Sequence, residues 1–81
     1  MSRPLTTDEL KKYSKVFGDC WSLLKEYGLP DDRSDDYWNG LIGKANDICR
    51  EAGEDILTVK LVGGLLTGLE RYLDEREGRP A

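Results

Sequence analysis

The sequence predicts an all-α fold: a small three-helix bundle, or a helical hairpin with a third, apolar helix packed across it. Three observations predict it. Proline is scarce, and Val and Ile are few beside Leu, Lys and Glu, a balance that favours helices over strands. Apolar residues recur at intervals of three and four in three separate segments. Between the segments stand glycine, proline and acidic residues that stop one helix and start the next. With 81 residues, 38% hydrophobic and 35% charged, the chain is one domain with a marginal core. It is nonetheless too apolar to remain disordered.

The first helix is expected over about Thr7 to Tyr27. Thr6 and Glu9 have the spacing of a capping box, with Leu5 and Leu10 flanking them as a hydrophobic staple. Leu10, Tyr13, Phe17, Cys20, Leu24 and Tyr27 then mark one helical face, widened by Val16, Trp21 and Leu23. Gly28 suits a left-handed cap, and Pro30 prevents continuation.

A second helix is expected over about 35–52. Trp38, Leu41, Ala45, Ile48 and Ala52 keep the three-four rhythm, joined by Ile42 and Cys49. Ser34, Asp35 or Asp36 can cap its start and Gly53 its end. Lys44, Asp47, Arg50 and Glu51 form its wet side.

Segment three, about 55–76, is the most apolar, its hydrophobic arc covering roughly 200° of a helical wheel against roughly 160° and 140° for the other two. A helix of that kind should touch both of the others, or a second chain. Residues 77–81 read as a frayed tail. An antiparallel α1/α2 pairing puts Tyr27 level with Trp38 and Cys20 level with Ala45. Cys49 is then about 5 Å out of register for a disulfide with Cys20.

Composition narrows the function. A formal charge of −4 argues against direct nucleic-acid binding, which needs a basic face. No apolar run approaches the ~20 residues that span a bilayer, and the N-terminus lacks the apolar core of a signal peptide. A cytoplasmic location and reduced thiols at Cys20 and Cys49 are therefore expected. The chain has no histidine, so the default proton shuttle and commonest transition-metal ligand are missing. Two cysteines on core faces make neither a zinc site nor a reactive nucleophile. A non-enzymatic protein without cofactor or metal is expected.

Residues 31–41, DDRSDDYWNGL, gather carboxylates and aromatics. Tested as a calcium loop from Asp35, the string places Tyr37 at position three and Asn46 in place of the final glutamate. From Asp32, Tyr37 replaces the glycine and Gly43 the glutamate, so neither register fits. Asp31, Asp32, Asp35 and Asp36 read chiefly as complements to the positive end of helix two. The sharper alternative is a partner surface with Tyr37 as its exposed aromatic and Trp38 as the core residue near Leu24 and Tyr27. Gly64 and Gly68, four apart and bordered by Leu61 and Leu65, allow close approach of a helix. Packing within the monomer leads, ahead of a homodimer across this face or a break at Gly63-Gly64. Lys11, Lys12 and Lys15 read as a solvated basic strip.

The stretch Asp36 to Arg76, opening with DYW and ending in LERYLDERE, resembles small uncharacterised helical proteins of prophages and mobile elements of Gram-positive bacteria. The resemblance brings no activity and no functional residues. It implies an accessory protein that binds partners. The leading expectation is thus a protein-interaction module acting through a helix–helix interface, homo-oligomeric or with a protein partner. An acidic regulator that competes with nucleic acid for a basic protein is the alternative, and a small enzyme comes last.

Overall fold

A computed structural model describes residues 2–78 as three helices: α1, Thr7–Tyr27; α2, Asp35–Glu51; and α3, Ile56–Arg76. The bundle form of the expectation holds, and all three helices pack on one another. α2 runs antiparallel to both neighbours. Lys15 meets Glu51 at one end and Lys44 meets Glu26 at the other. Lys12 and Tyr13 both reach Asp55, so α1 and α3 start side by side and run parallel.

Each boundary has a local cause. Thr6 Oγ1 accepts from the Glu9 amide at 3.2 Å while Glu9 Oε1 accepts from the Thr6 amide at 2.9 Å, completing the capping box. Arg3 closes on the same glutamate. At the end of α2, Gly53 donates to the Arg50 carbonyl and Glu54 to that of Cys49, the two bonds of a Schellman turn. Gly53 takes φ +76° there, a conformation that favours glycine. Asp55 caps α3 through Thr58. The cap of α2 departs from expectation: Ser34 makes no side-chain capping bond. Asp32 instead accepts from the Ser34 amide at 2.9 Å, forming an Asx turn that delivers the chain into α2.

The core consists of Val16 and Leu23 from α1, Leu41, Ala45 and Ile48 from α2, and Val62, Leu69 and Leu73 from α3. Among them lies Thr58, fully buried, its hydroxyl donating to Asp55 Oδ1 at 2.7 Å. The apolar stripe of α1 is centred differently from the expectation. Val16 and Leu23, at one margin of the stripe, form the middle of the buried face, whereas Leu10, Phe17 and Trp21, at the other margin, are each more than half exposed. Tertiary packing chose the narrower half of a wide stripe.

α3 is one helix, unbroken at Gly63-Gly64. Of the expected frayed tail, Glu77 and Gly78 are tied down by bonds to the Leu73 and Glu75 carbonyls; residues 79–81 lie outside the described residues. Cys20 and Cys49 are free thiols, both part-buried. The Lys15–Glu51 and Glu26–Lys44 pairs bring Cys20 about level with Ile48, nearer Cys49 than the expected alignment with Ala45.

The molecule is flat, 43 × 28 × 18 Å, with a Cα radius of gyration of 14.3 Å. A compact chain of this length would have about 11.7 Å.

Candidate interaction surface

The acidic loop resolves into structural parts. Arg76 reaches Asp31 at 3.6 Å, Asp32 holds the turn into α2, and Arg33 reaches across to Asp74 and Glu77 on α3. Asp35 and Asp36 sit exposed in the first turn of α2, where carboxylates favour the helix dipole. Among the described residues no three carboxylate or thiol side chains converge on a metal-sized space.

Tyr37 is not the free aromatic that its position suggests. It is part-buried, its hydroxyl donates to the Gly28 carbonyl at 2.9 Å, and its ring meets Tyr27 edge-on at 5.9 Å. Tyr37, rather than Trp38, is the aromatic that faces Tyr27. Trp38 stands edge-on to Tyr37 and lines the α2–α3 groove with Arg33, Ile42 and Glu70. The turn after α1 brings the Gly28 carbonyl within reach of the Tyr37 phenol.

The glycines also differ from the expectation of packing within the monomer. A Cβ at Gly63, Gly64 or Gly68 would meet nothing in the rest of the fold within 4 Å. Gly64 and Gly68 lie roughly 130° around the helix from the Val62–Leu69 line, at ~100° per residue, and so face outward. Leu61 and Leu65 lie between the two lines and are part-buried against the core. Of the basic strip, Lys12 pairs with Asp55 and Lys15 with Asp19 and Glu51, leaving Lys11.

What the structure adds is a set of exposed apolar side chains on the sides of α1 and α3 that face away from α2. On α1, Leu10, Phe17 and Trp21 fall within roughly 40° of one line. The other flank of α1 carries Lys15, Asp19 and Glu26, which border α2. On α3, Leu57, Gly64 and Gly68 fall within roughly 40° of one line. Its other flank carries Glu70 and Asp74, which border α2 and Arg33. The two lines therefore share the broad side of the molecule that α2 leaves open. Trp21 and Leu29 border a shallow dent at one end of α1. Val59, Lys60 and Arg71 border a trough over the three glycines of α3.

Large apolar side chains dominate this side. Phe17 and Trp21 are each 59% exposed and Leu57 49%. The total accessible surface is 5827 Å² for a 9.2 kDa chain. A compact monomer of that mass exposes about 4,900 Å². The excess, about 900 Å², is comparable to the ~800 Å² that one partner contributes to a standard interface.

The sequence points to the Gly64–Gly68 side of α3 as one candidate contact, but periodicity places Phe17 and Trp21 in the core and so hides the α1 half of this face. The signal that could have found it is width: nine apolar positions on α1 are more than one antiparallel neighbour and one parallel neighbour can cover. No helix among the described residues is long and apolar enough to cross a membrane. Comparison with protein-family models, with curated proteins and with solved structures returned no match.

Proposed function

We propose that this chain is a cytoplasmic, non-enzymatic interaction module that works through a helix–helix interface on its α1–α3 face. The observation that carries the reading is the joint exposure of Phe17, Trp21 and Leu57 on one side of a thin bundle. Exposed apolar surface of this extent marks interaction sites in small folded proteins. Side-chain chemistry supports a non-catalytic role. The chain has no histidine, and burial pushes the Cys20 thiol up, away from the thiolate form. The resemblance to small uncharacterised helical proteins of mobile elements is in keeping with it. The acidic-competitor reading has less support, because Arg33 and Arg76 interleave with the aspartates and answer Asp31, Asp74 and Glu77.

The test compares the wild-type chain with a Phe17→Ser/Trp21→Ser variant, tagged and recovered from the native cell, with sedimentation equilibrium on each purified protein. Loss of a co-purifying protein or of self-association in the variant, at unchanged helical circular dichroism, is the expected result. A monomeric wild type whose co-purifying proteins are the same as the variant's would overturn the reading.

A further inference from the structure

The cations of this chain divide into two sets. Arg3, Lys12, Lys15, Arg33, Lys44, Arg50 and Arg76 each pair with a carboxylate. Among the described residues, Lys11, Lys25, Lys60 and Arg71 make no ion pair; Lys25 instead lies over the Trp21 ring at 5.7 Å. Helical phase places all four on the solvent side of α1 and α3: Lys25, Lys60 and Arg71 lie within about 60° of the apolar lines, and Lys11 about 100° from its own. Lys11 and Lys25 lie on its α1 edge, beyond the Phe17–Trp21 line. Lys60 and Arg71 lie on its α3 edge, beyond the Leu57–Gly64 line. Parallel helices starting level at Tyr13 and Asp55 set their order along the face as Lys11, Lys60, Lys25, Arg71, alternating between edges. They span about 27 Å, the length of roughly 18 helical residues.

A protein with net charge −4 therefore keeps its unpaired described cations beside its exposed aromatics, while Asp35 and Asp36 sit at the start of α2 and Asp8 at the start of α1. Among the described residues of α1 and α3, Glu75 is the carboxylate that helical phase places on this face, on the Leu57–Gly64 line at its C-terminal end. On the basis of the interaction reading above, we infer that the α1–α3 face binds an amphipathic helix of another protein whose apolar stripe is flanked by acidic residues. Phe17 and Trp21 seat the apolar stripe, in the manner of helix-in-groove recognition. The four cations meet carboxylates on both flanks, which fixes register and steers encounter. A second copy of this chain is the poorer occupant. A two-fold interface apposes the same patch to itself, so cationic edges would meet cationic edges.

The experiment uses two synthetic 18-residue amphipathic helices with the same leucine stripe, one flanked by glutamates and one by lysines. Binding to the full chain is measured by calorimetry at low and at physiological salt, beside vesicles containing phosphatidylserine. The glutamate-flanked peptide should bind about tenfold tighter than the lysine-flanked one, as expected of several surface ion pairs, and the gap should narrow with salt. A Lys25→Glu/Lys60→Glu variant should erase or invert that preference, and Trp21→Ser should weaken both peptides. Equal binding of both peptides, lost in Trp21→Ser, would overturn the acidic-partner inference and leave the interaction reading standing. Binding of neither peptide, or binding unaffected by Trp21→Ser, would overturn both. Vesicle binding that exceeds peptide binding would replace the helical partner with an anionic membrane surface.

Discussion

The Tyr13 hydroxyl donates a 2.8 Å hydrogen bond to Asp55 Oδ2 and so ties the second turn of α1 to the N-cap of the parallel α3. The same carboxylate caps α3 through Thr58, receives the buried Thr58 hydroxyl and pairs with Lys12 at 2.9 Å. One side chain thus ends the α2–α3 turn, starts α3 and anchors α1. The Thr58 hydroxyl, followed by Lys12 and Tyr13, holds the Asp55 carboxyl well below the usual carboxylate range.

A depressed folded-state pKa contributes stability above the unfolded value, near pH 4, and loses it as pH falls through the folded value. Glu9, lowered to about 2 by Arg3 and the Thr6 amide, acts in the same sense. Stability should therefore hold from neutral pH to about pH 4 and fall between about pH 4 and 2. Urea denaturation across that range should show a shallower acid slope for Asp55→Asn. At pH 7 Asp55→Ala should lower Tm by roughly 5–10 °C, a typical N-cap loss in a chain this small. An unchanged acid slope in Asp55→Asn would remove this carboxylate from the account.

The glycines separate by what stands beside them. Gly64 and Gly68 face open space, so alanine at either should stabilise by about 0.5–1 kcal/mol through helix propensity. Gly40 differs: a Cβ there would come within 2.7 Å of the Tyr27 hydroxyl oxygen. Tyr27 must shift to admit it, which offsets the propensity gain. Thermal denaturation should rank Gly64→Ala and Gly68→Ala above wild type and Gly40→Ala below both.

How much of this could be read from the chain follows the range of the interaction. The N-terminal cap of α1 and the glycine turn after α2 are local, set by Thr6, Glu9 and Gly53 within a few residues, and they stand as read. The three helices also lie within a residue of their expected ends, because glycine, proline and polar caps bound them. The side chains that meet across the fold were less legible. Periodicity assigns Phe17 and Val16 to the same wide stripe; only the positions of α2 and α3 decide that Val16 is buried at 3% and Phe17 exposed at 59%. The adjacent Tyr37 and Trp38 are both part-buried against the core, and which of them meets Tyr27 depends on where the Gly28 carbonyl stands. Nothing local marks Asp55 as the anchor of α1, since Tyr13 lies 42 residues away in the chain.

Core and face residues should respond oppositely to truncation. Leu41 and Leu73 are fully buried, and replacing either by alanine should cost about 2–5 kcal/mol. For a domain of this size that is a large share of total stability. Phe17→Ser and Trp21→Ser remove side chains already more than half in water, and should change stability by less than about 1 kcal/mol. Denaturant midpoints of the four variants measure the contrast directly. A loss at Trp21 as large as at Leu41 would mean that the α1–α3 face is part of the core rather than free to bind.

Tyr37 offers a smaller and cleaner measurement. Its hydroxyl is the side-chain partner of the Gly28 carbonyl, at the point where α1 ends in a φ of +67°. Tyr37→Phe keeps the ring against Tyr27 and Trp38 and removes that one bond, so the expected loss is about 0.5–1.5 kcal/mol. Burial raises the Tyr37 phenol pKa, so the hydroxyl remains a donor well into the alkaline range. The difference between Tyr37→Phe and wild type should therefore stay constant from pH 6 to about pH 9, since no titration of the donor intervenes there. Chemical denaturation at those two pH values reads it. A difference that vanishes at the alkaline end would mean that the phenol ionises early and that the bond to Gly28 does not hold the turn.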